Sequence, residues 1–303
     1  MPTSTRAKRE RRSGRFDARR ADTGQMTRAL VLVLALLPVG LAAQQRPLDT
    51  QDPQPIGGGL LRIGVGSAYA HDIYYPLSGL QGNLLQLPLL AFEVGLGPIA
   101  DFQLSGGPYN LLSITSRQDA PLAGLVTATG STTHAVEDIV IGSKIRLVSE
   151  DERRPAIAFR FDVRLPNAKH ESGLGQDTTD FSASVLVGKT WGPLRAVGNG
   201  GFTIMSEPLD AAKQNDLLTY GASLAIAAWR ATALVGEVNG RWSTRPGPAP
   251  VGTESRGLLK AGVRHALGQF QLDGAVLFGL TSIDPSVGVT FGVTYTFQAF
   301  SMP

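Results

Sequence analysis

Arg160, Asp162 and Arg164 stand two residues apart in Ile157-Ala158-Phe159-Arg160-Phe161-Asp162-Val163-Arg164-Leu165, where every odd position is apolar. That spacing puts the three charges on one face of a strand and the large apolar side chains on the other. Charges so placed can line a solvated passage and bias which solutes cross it. Lys144 and Arg146 take the same face of the preceding segment, opposite Ile139, Ile141, Ile145 and Leu147. Lys144, Arg146, Arg160, Asp162 and Arg164 therefore form a candidate charge wall. The same parity adds Arg62, Glu93, Asp101, Gln103, Glu237, Asn239, Arg241, Lys260, Arg264, Gln271 and Asp273 as inward-facing candidates. Both signs are present, so the alternative is that these groups pair across an interior and fill it.

Other chemistry is thin. The chain has no G-x-S-x-G elbow, no phosphate-binding G-x-x-x-x-G-K-[ST] and no H-E-x-x-H. His71, His134, His170 and His265 are scattered, without a second ligand at metal-binding spacing. His265 shares the apolar parity of Ala261 and Val263 and reads as an interfacial residue. Asp72 and Glu137-Asp138 lack the alternating oxygen ligands and central glycine of a calcium loop. Gly173-x-Gly175 lies in a run of turn formers, Pro166 to Asp180, and reads as a loop at a rim. No catalytic residue, metal site or cofactor is expected.

The elements that must carry these side chains are period-two strands. In Val287-Gly288-Val289-Thr290-Phe291-Gly292-Val293-Thr294-Tyr295-Thr296-Phe297, odd positions are apolar and even ones are Gly or Thr. Twelve such segments can be placed, at about 59–69, 86–95, 99–106, 136–148, 155–165, 180–190, 194–204, 217–228, 231–242, 256–266, 269–280 and 286–298. Short connections such as 95–98, 191–193, 229–230 and 267–268 alternate with longer ones at 70–85, 107–135, 166–179, 205–216 and 243–255. An even strand number with short turns on one side and long loops on the other predicts an all-β, antiparallel transmembrane barrel of about 12 strands with a lipid-facing exterior. Trp191, Trp229, Tyr295 and Phe297 fall near the short-turn ends and Trp242 near a long-loop end, where a membrane interface suits their amphipathic rings.

The leader explains the overall charge. Met26-Thr27-Arg28, the apolar run Ala29 to Val39 and the small residues Gly40, Ala42 and Ala43 make a signal peptide over 26–43. Residues 1–25 carry eight of the basic residues and read as a disordered extension, or as untranslated sequence ahead of Met26. Of 28 basic and 25 acidic residues, 1–43 hold nine and three, leaving 19 against 22. The basic balance of the whole chain is thus no sign of a nucleic-acid partner. Residues 44–58 are polar and Pro-rich, and are expected as a flexible periplasmic lead-in to a barrel over 59–300. The chain has no cysteine, so closure of the sheet, and not a disulfide, must protect its edges.

One stretch resembles a known family. It comprises Leu87-Pro88-Leu89-Leu90-Ala91-Phe92-Glu93-Val94-Gly95-Leu96, Ile99-Ala100-Asp101-Phe102-Gln103-Leu104, Glu137-Asp138-Ile139-Val140-Ile141-Gly142-Ser143-Lys144-Ile145-Arg146-Leu147, Pro155-Ala156-Ile157-Ala158, Val163-Arg164-Leu165-Pro166, Gly173-Leu174-Gly175 and Thr178-Thr179-Asp180-Phe181. Together these resemble the MetA-pathway phenol-degradation family of outer-membrane barrels. The match covers about 85–205 and departs at Asn167-Ala168, where the family often has Thr-Gly. The resemblance implies an exported outer-membrane transporter and no catalytic residues. The expected partners are the lipid bilayer and a small-molecule permeant, with apolar or aromatic compounds in view. The alternative is a structural or surface-interaction barrel with a closed lumen.

Overall fold

The computed structural model describes residues 48–301; the leader expected over 1–43 lies outside them. The described residues contain fourteen strands. They are β1 (Leu60–Tyr75), β2 (Leu80–Gly95), β3 (Ala100–Gly106), β4 (Asn110–Arg117), β5 (Thr132–Ala135), β6 (Ile139–Val148) and β7 (Ala156–Leu165). The second half supplies β8 (Asp180–Trp191), β9 (Leu194–Glu207), β10 (Asp210–Trp229), β11 (Thr232–Ser243), β12 (Arg256–Leu267), β13 (Phe270–Gly279) and β14 (Val287–Gln298). Neighbours pair antiparallel from β14 down to β6, then through β3 and β2 to β1, and β1 closes the ring on β14. Twelve strands thus form an all-β barrel wall.

β4 and β5 are the upper continuations of β3 and β6. β2 pairs with β3 along Leu90–Gly95 and with β4 along Leu80–Gln86, so one long strand faces two short ones end to end. Gly106-Gly107-Pro108 interrupts the first short pair, and Val136-Glu137-Asp138 interrupts the second. Above the break, among the described residues, β5 has no strand on its far side; the 166–179 loop lies there instead, with Thr133 Oγ1 donating to the Ser172 carbonyl at 2.7 Å.

Alternation sets the faces. Along β14 the exposed residues are Val287, Val289, Phe291 and Val293, while Gly288, Thr290, Gly292 and Thr294 are buried. The same odd-out pattern exposes Phe159 and Phe161 on β7, and Val185 and Val187 on β8. A surface so greasy is stable against lipid, and closure leaves no unpaired strand edge there. At the short-turn end Tyr295 lies 4.7 Å from Phe270 and 5.2 Å from Phe297, ring centre to ring centre, as part of an aromatic girdle. The seven-residue turn 149–155 at that end is built on Asp151. Its carboxylate takes the backbone N–H of Arg154 and of Arg153 and the Arg154 guanidinium, which hold it down to about 2.

Three of the expected long loops differ. β1 and β2 run on to Tyr75 and from Leu80, leaving only 76–79 between them, and β9 and β10 are joined across 208–209 alone. A membrane-crossing strand needs about 9–11 residues, so the 16 residues of β1 and the 20 of β10 carry the sheet beyond the bilayer. Within 107–135 lie β4, a 3-10 turn over Ala123–Leu125 and β5. The alternation of Leu112 and Ile114 with Ser113 and Thr115 is legible in the sequence but isolated by the Gly106-Gly107-Pro108 interruption.

Candidate functional site

The lumen is occupied by the chain's own residues. Residues 48–58, expected as part of a flexible lead-in outside the barrel, instead run through its interior, with Leu48, Thr50 and Asp52 each 3% exposed or less. The reason is polar satisfaction: many backbone and side-chain groups of the segment find partners on inward-facing barrel residues, although the buried Thr50 hydroxyl has none among the described residues. The N–H groups of Asp49 and Thr50 donate to the two Glu237 carboxylate oxygens, both at 2.9 Å. The Gln51 N–H and carbonyl pair with the Asn199 side chain at 2.6 and 2.8 Å. Asp52 receives the Arg195 guanidinium in a fork, at 2.5 and 2.7 Å. The Ile56 N–H donates to Asp101 at 3.1 Å. Leu48 packs with Ala225, Val235 and Ala275, the small apolar residues of the inner wall. We call this segment the plug.

Beneath it lies an ion cluster. Lys144, fully buried, reaches Glu93 at 3.3 Å and Asp101 at 3.2 Å, and its remaining N–H bonds go to the plug carbonyls of Asp52 and Gln54 at 3.1 and 2.9 Å. Arg62 closes the cluster on Glu93 at 2.8 Å. Arg146 donates to the Gln54 side chain at 2.9 Å and to the Pro98 carbonyl at 3.0 Å. Gly95 makes the chain's exit possible: a Cβ there would stand 1.7 Å from the Gly57 carbonyl oxygen.

The five candidate wall residues therefore do not act together. Lys144 and Arg146 hold the plug. Arg160 faces the space above it, bonded to Asp162 and to Gln103. Arg164 is at the upper rim, bonded to Asp138, Asp180 and Gln176. The other candidates also find inward partners. Lys260 sits between Asp49 at 2.5 Å and Glu237 at 3.6 Å, and Arg264 pairs with Asp273 at 2.8 Å, with Gln271 donating to Asp273. Asn239 donates to Glu237 at 2.7 Å. Arg195, Arg256 and the plug itself were not legible as site residues. On β9 the outward positions Ala196, Gly198 and Gly200 are too small to mark a face, and the polar plug composition matches that of a linker.

Above the plug a chamber of about 500 Å³ remains. Apolar lining comes from Ala68, Ala70, Ile73, Leu84, Leu258 and Leu277, with Gln86, Arg256 and Asp284 among them. Polar groups come from Arg160, Asp162, Ser184, Asn199, Asn239 and Arg241, with Asn239 directly beside Leu258 across the β11–β12 pair. A pocket with an apolar wall and a few placed polar groups is the usual form of a small-molecule site. A second cavity, of about 310 Å³, opens at the strand break between Leu90, Phe92, Leu104, Gly106, Pro108 and Ile139, the outward parity of β2, β3 and β6. Phe92, Leu104 and Ser105 also border an inner pocket of about 180 Å³ beside Leu48 and Arg160, so the wall between inside and outside is one strand layer thick there.

His265 Nδ1 meets Thr232 Oγ1 at 2.9 Å across the β11–β12 pair, and His134 stacks on Tyr109 with 5.8 Å between ring centres. Among the described residues no group of three His, Cys, Asp or Glu could hold a metal ion.

The barrel is similar to that of the COG4313 outer membrane channel from Pseudomonas putida F1, with a TM-score of 0.59 at 13% identity over 82% of this chain and all of that one. The fold is an outer-membrane β-barrel. Weaker likenesses include the translocator domain of the autotransporter NalP from Neisseria meningitidis (TM-score 0.48, 12% identity, 90% of this chain and 95% of that one). Another is the Pseudomonas putida toluene transporter TodX (TM-score 0.38, 12% identity, 82% and 92%). No family model and no curated protein matches the chain.

Proposed function

We propose that this protein is an outer-membrane channel for small molecules with an apolar or aromatic body, held closed by its own plug. The observation that carries the reading is the half-apolar chamber set directly above residues 48–56. A ring of twelve strands is wider than its inward side chains can fill, and the space left here has the mixed apolar and polar lining usual for a small-molecule site. The resemblance of 85–205 to the MetA-pathway phenol-degradation family and the likeness to the COG4313 channel support the same reading. An apolar solute gains from the Ala68, Ala70, Leu84, Leu258 and Leu277 surface of the chamber while the polar groups of the lining keep it oriented. Passage to the periplasm requires the plug to shift. Its interactions are hydrogen bonds and ion pairs with no covalent tie, and it joins the wall at Gly57 and Gly59, which adopt left-handed φ values of 103° and 76°.

The test is conductance of protein exported to and extracted from membranes, recorded in a planar bilayer. Wild type is expected to pass small, interrupted currents, and a variant lacking residues 48–55 large, steady ones. Equal silence from both, each verified as a heat-modifiable barrel, would leave the closed structural barrel as the reading.

A further inference from the structure

We propose that the chamber's permeant is an organic anion, a carboxylate on an apolar body, and that Arg241 is its cationic partner; this rests on the channel reading above. The argument is one of local charge balance. Three acids line the chamber, and each is already engaged. Asp49 has Lys260 at 2.5 Å, and Asp162 has Arg160. Asp284 is committed to its own loop, accepting from the Gly257 N–H at 2.9 Å and Thr281 Oγ1 at 2.7 Å, with Arg256 farther off at 3.8 Å. Arg241 also lines the chamber, and among the described residues no carboxylate lies within ion-pairing distance of it. Its bonds go only to the backbone carbonyls of Glu254 at 3.1 Å and Gly252 at 3.3 Å, from Nε and one terminal nitrogen. The nearest Glu254 carboxylate is turned to the Gly252 N–H, with both oxygens at 3.0 Å.

The surroundings strengthen the case. Arg256 stands directly across the β11–β12 pair from Arg241, so two guanidinium groups are neighbours on the inner wall. Like charges placed side by side repel, and an anion bound between them relieves that repulsion. A guanidinium with a free edge matches a carboxylate in geometry as well as charge. Leu258 lies beside this pair on β12, and Ala70, Leu84 and Leu277 also line the chamber, apolar surface that suits the body of the same molecule. The position is specific: on β11 the inward residue Glu237 accepts from the plug and Asn239 donates to Glu237, and Arg241 is the next one up.

A matched pair of probes tests this, 2-naphthoate and its neutral isostere 2-naphthamide, titrated into detergent-solubilised protein by calorimetry. Naphthoate is expected to bind about tenfold or more tightly than naphthamide, the range of a charge-assisted hydrogen bond. Arg241→Gln should remove that preference, bringing the two affinities together, while Arg241→Lys keeps part of it. Should Arg241→Gln fail to fold, the wild-type ratio of the two probes and the Arg241→Lys result still decide. Equal wild-type affinity for the two, or a preference that survives Arg241→Gln, overturns the anion assignment and leaves the channel reading standing. If neither probe binds or permeates, even with residues 48–55 deleted, the chamber is no solute site and both readings fall.

Discussion

Lys144 shows how much one buried residue can hold. It neutralises Glu93 and Asp101 and bonds two plug carbonyls, all out of contact with water. Removing one partner from such a cluster leaves uncompensated charge, at about 3–5 kcal/mol. Lys144→Met is therefore expected to lower resistance to denaturant by about that amount, read from the folded-to-unfolded gel shift, and to raise the open probability at the same time. Arg195→Ala separates the two effects. It strips the fork from Asp52 at the edge of the cluster, so currents should grow with less loss of barrel stability. A barrel as stable and as silent as wild type in both variants would mean that the plug is not held by these ions.

At the scale of elements, the paired interruptions in β3/β4 and β5/β6 are the feature most able to serve solute movement. They leave an apolar recess bordered by Gly106 on the outer face. A Cβ at Gly106 would make only ordinary contact, with Ile139 Cγ1 at 3.5 Å, so a larger side chain can enter the recess from outside. Gly106→Trp is expected to slow uptake of an apolar solute into proteoliposomes while leaving ion conductance near wild type. Unchanged uptake would place the solute's route along the barrel axis. Strand faces obey a simpler rule. Phe161 points outward at 46% exposure between Arg160 and Asp162, so Phe161→Arg puts a charge in lipid and should destabilise the barrel by about 2–4 kcal/mol if it sits near the midplane, measured by denaturant titration in vesicles.

For the whole molecule, the sheet and its contents have different logics. Closure through β1, which pairs with both β14 and β2, fixes a twelve-strand ring whose size follows from strand count. That ring is too wide for its own inward side chains to fill. The plug occupies the short-turn half, and the chamber is what remains above it. On the channel reading proposed above, gating is a property of the molecule as a whole: a shift of the plug would change the pairing of Glu237, Asn199, Asp52, Lys144 and Asp101 together, across strands far apart in sequence.

The twelve wall strands and the sign of each face can be placed from the sequence alone, whereas β4, β5 and the extensions of β1, β2, β9 and β10 beyond the bilayer cannot. Period-two alternation with charged residues such as Arg160 and Arg164 on one side admits a single assignment when the other side meets lipid. Inward-facing Arg62, Glu93, Lys144, Glu237 and Arg264 follow from parity. Which of them pair with which was decided only by closure, because Lys144 and Asp52, or Asp49 and Lys260, are remote along the chain and meet inside a ring. The plug was illegible for the same reason: Leu48 to Ile56 has the polar, Pro-rich composition of a linker, and only the surrounding unsatisfied donors and carboxylates draw it inward. Local pattern encodes which way a strand faces; the partner of a buried charge is a long-range fact that tertiary structure alone supplies.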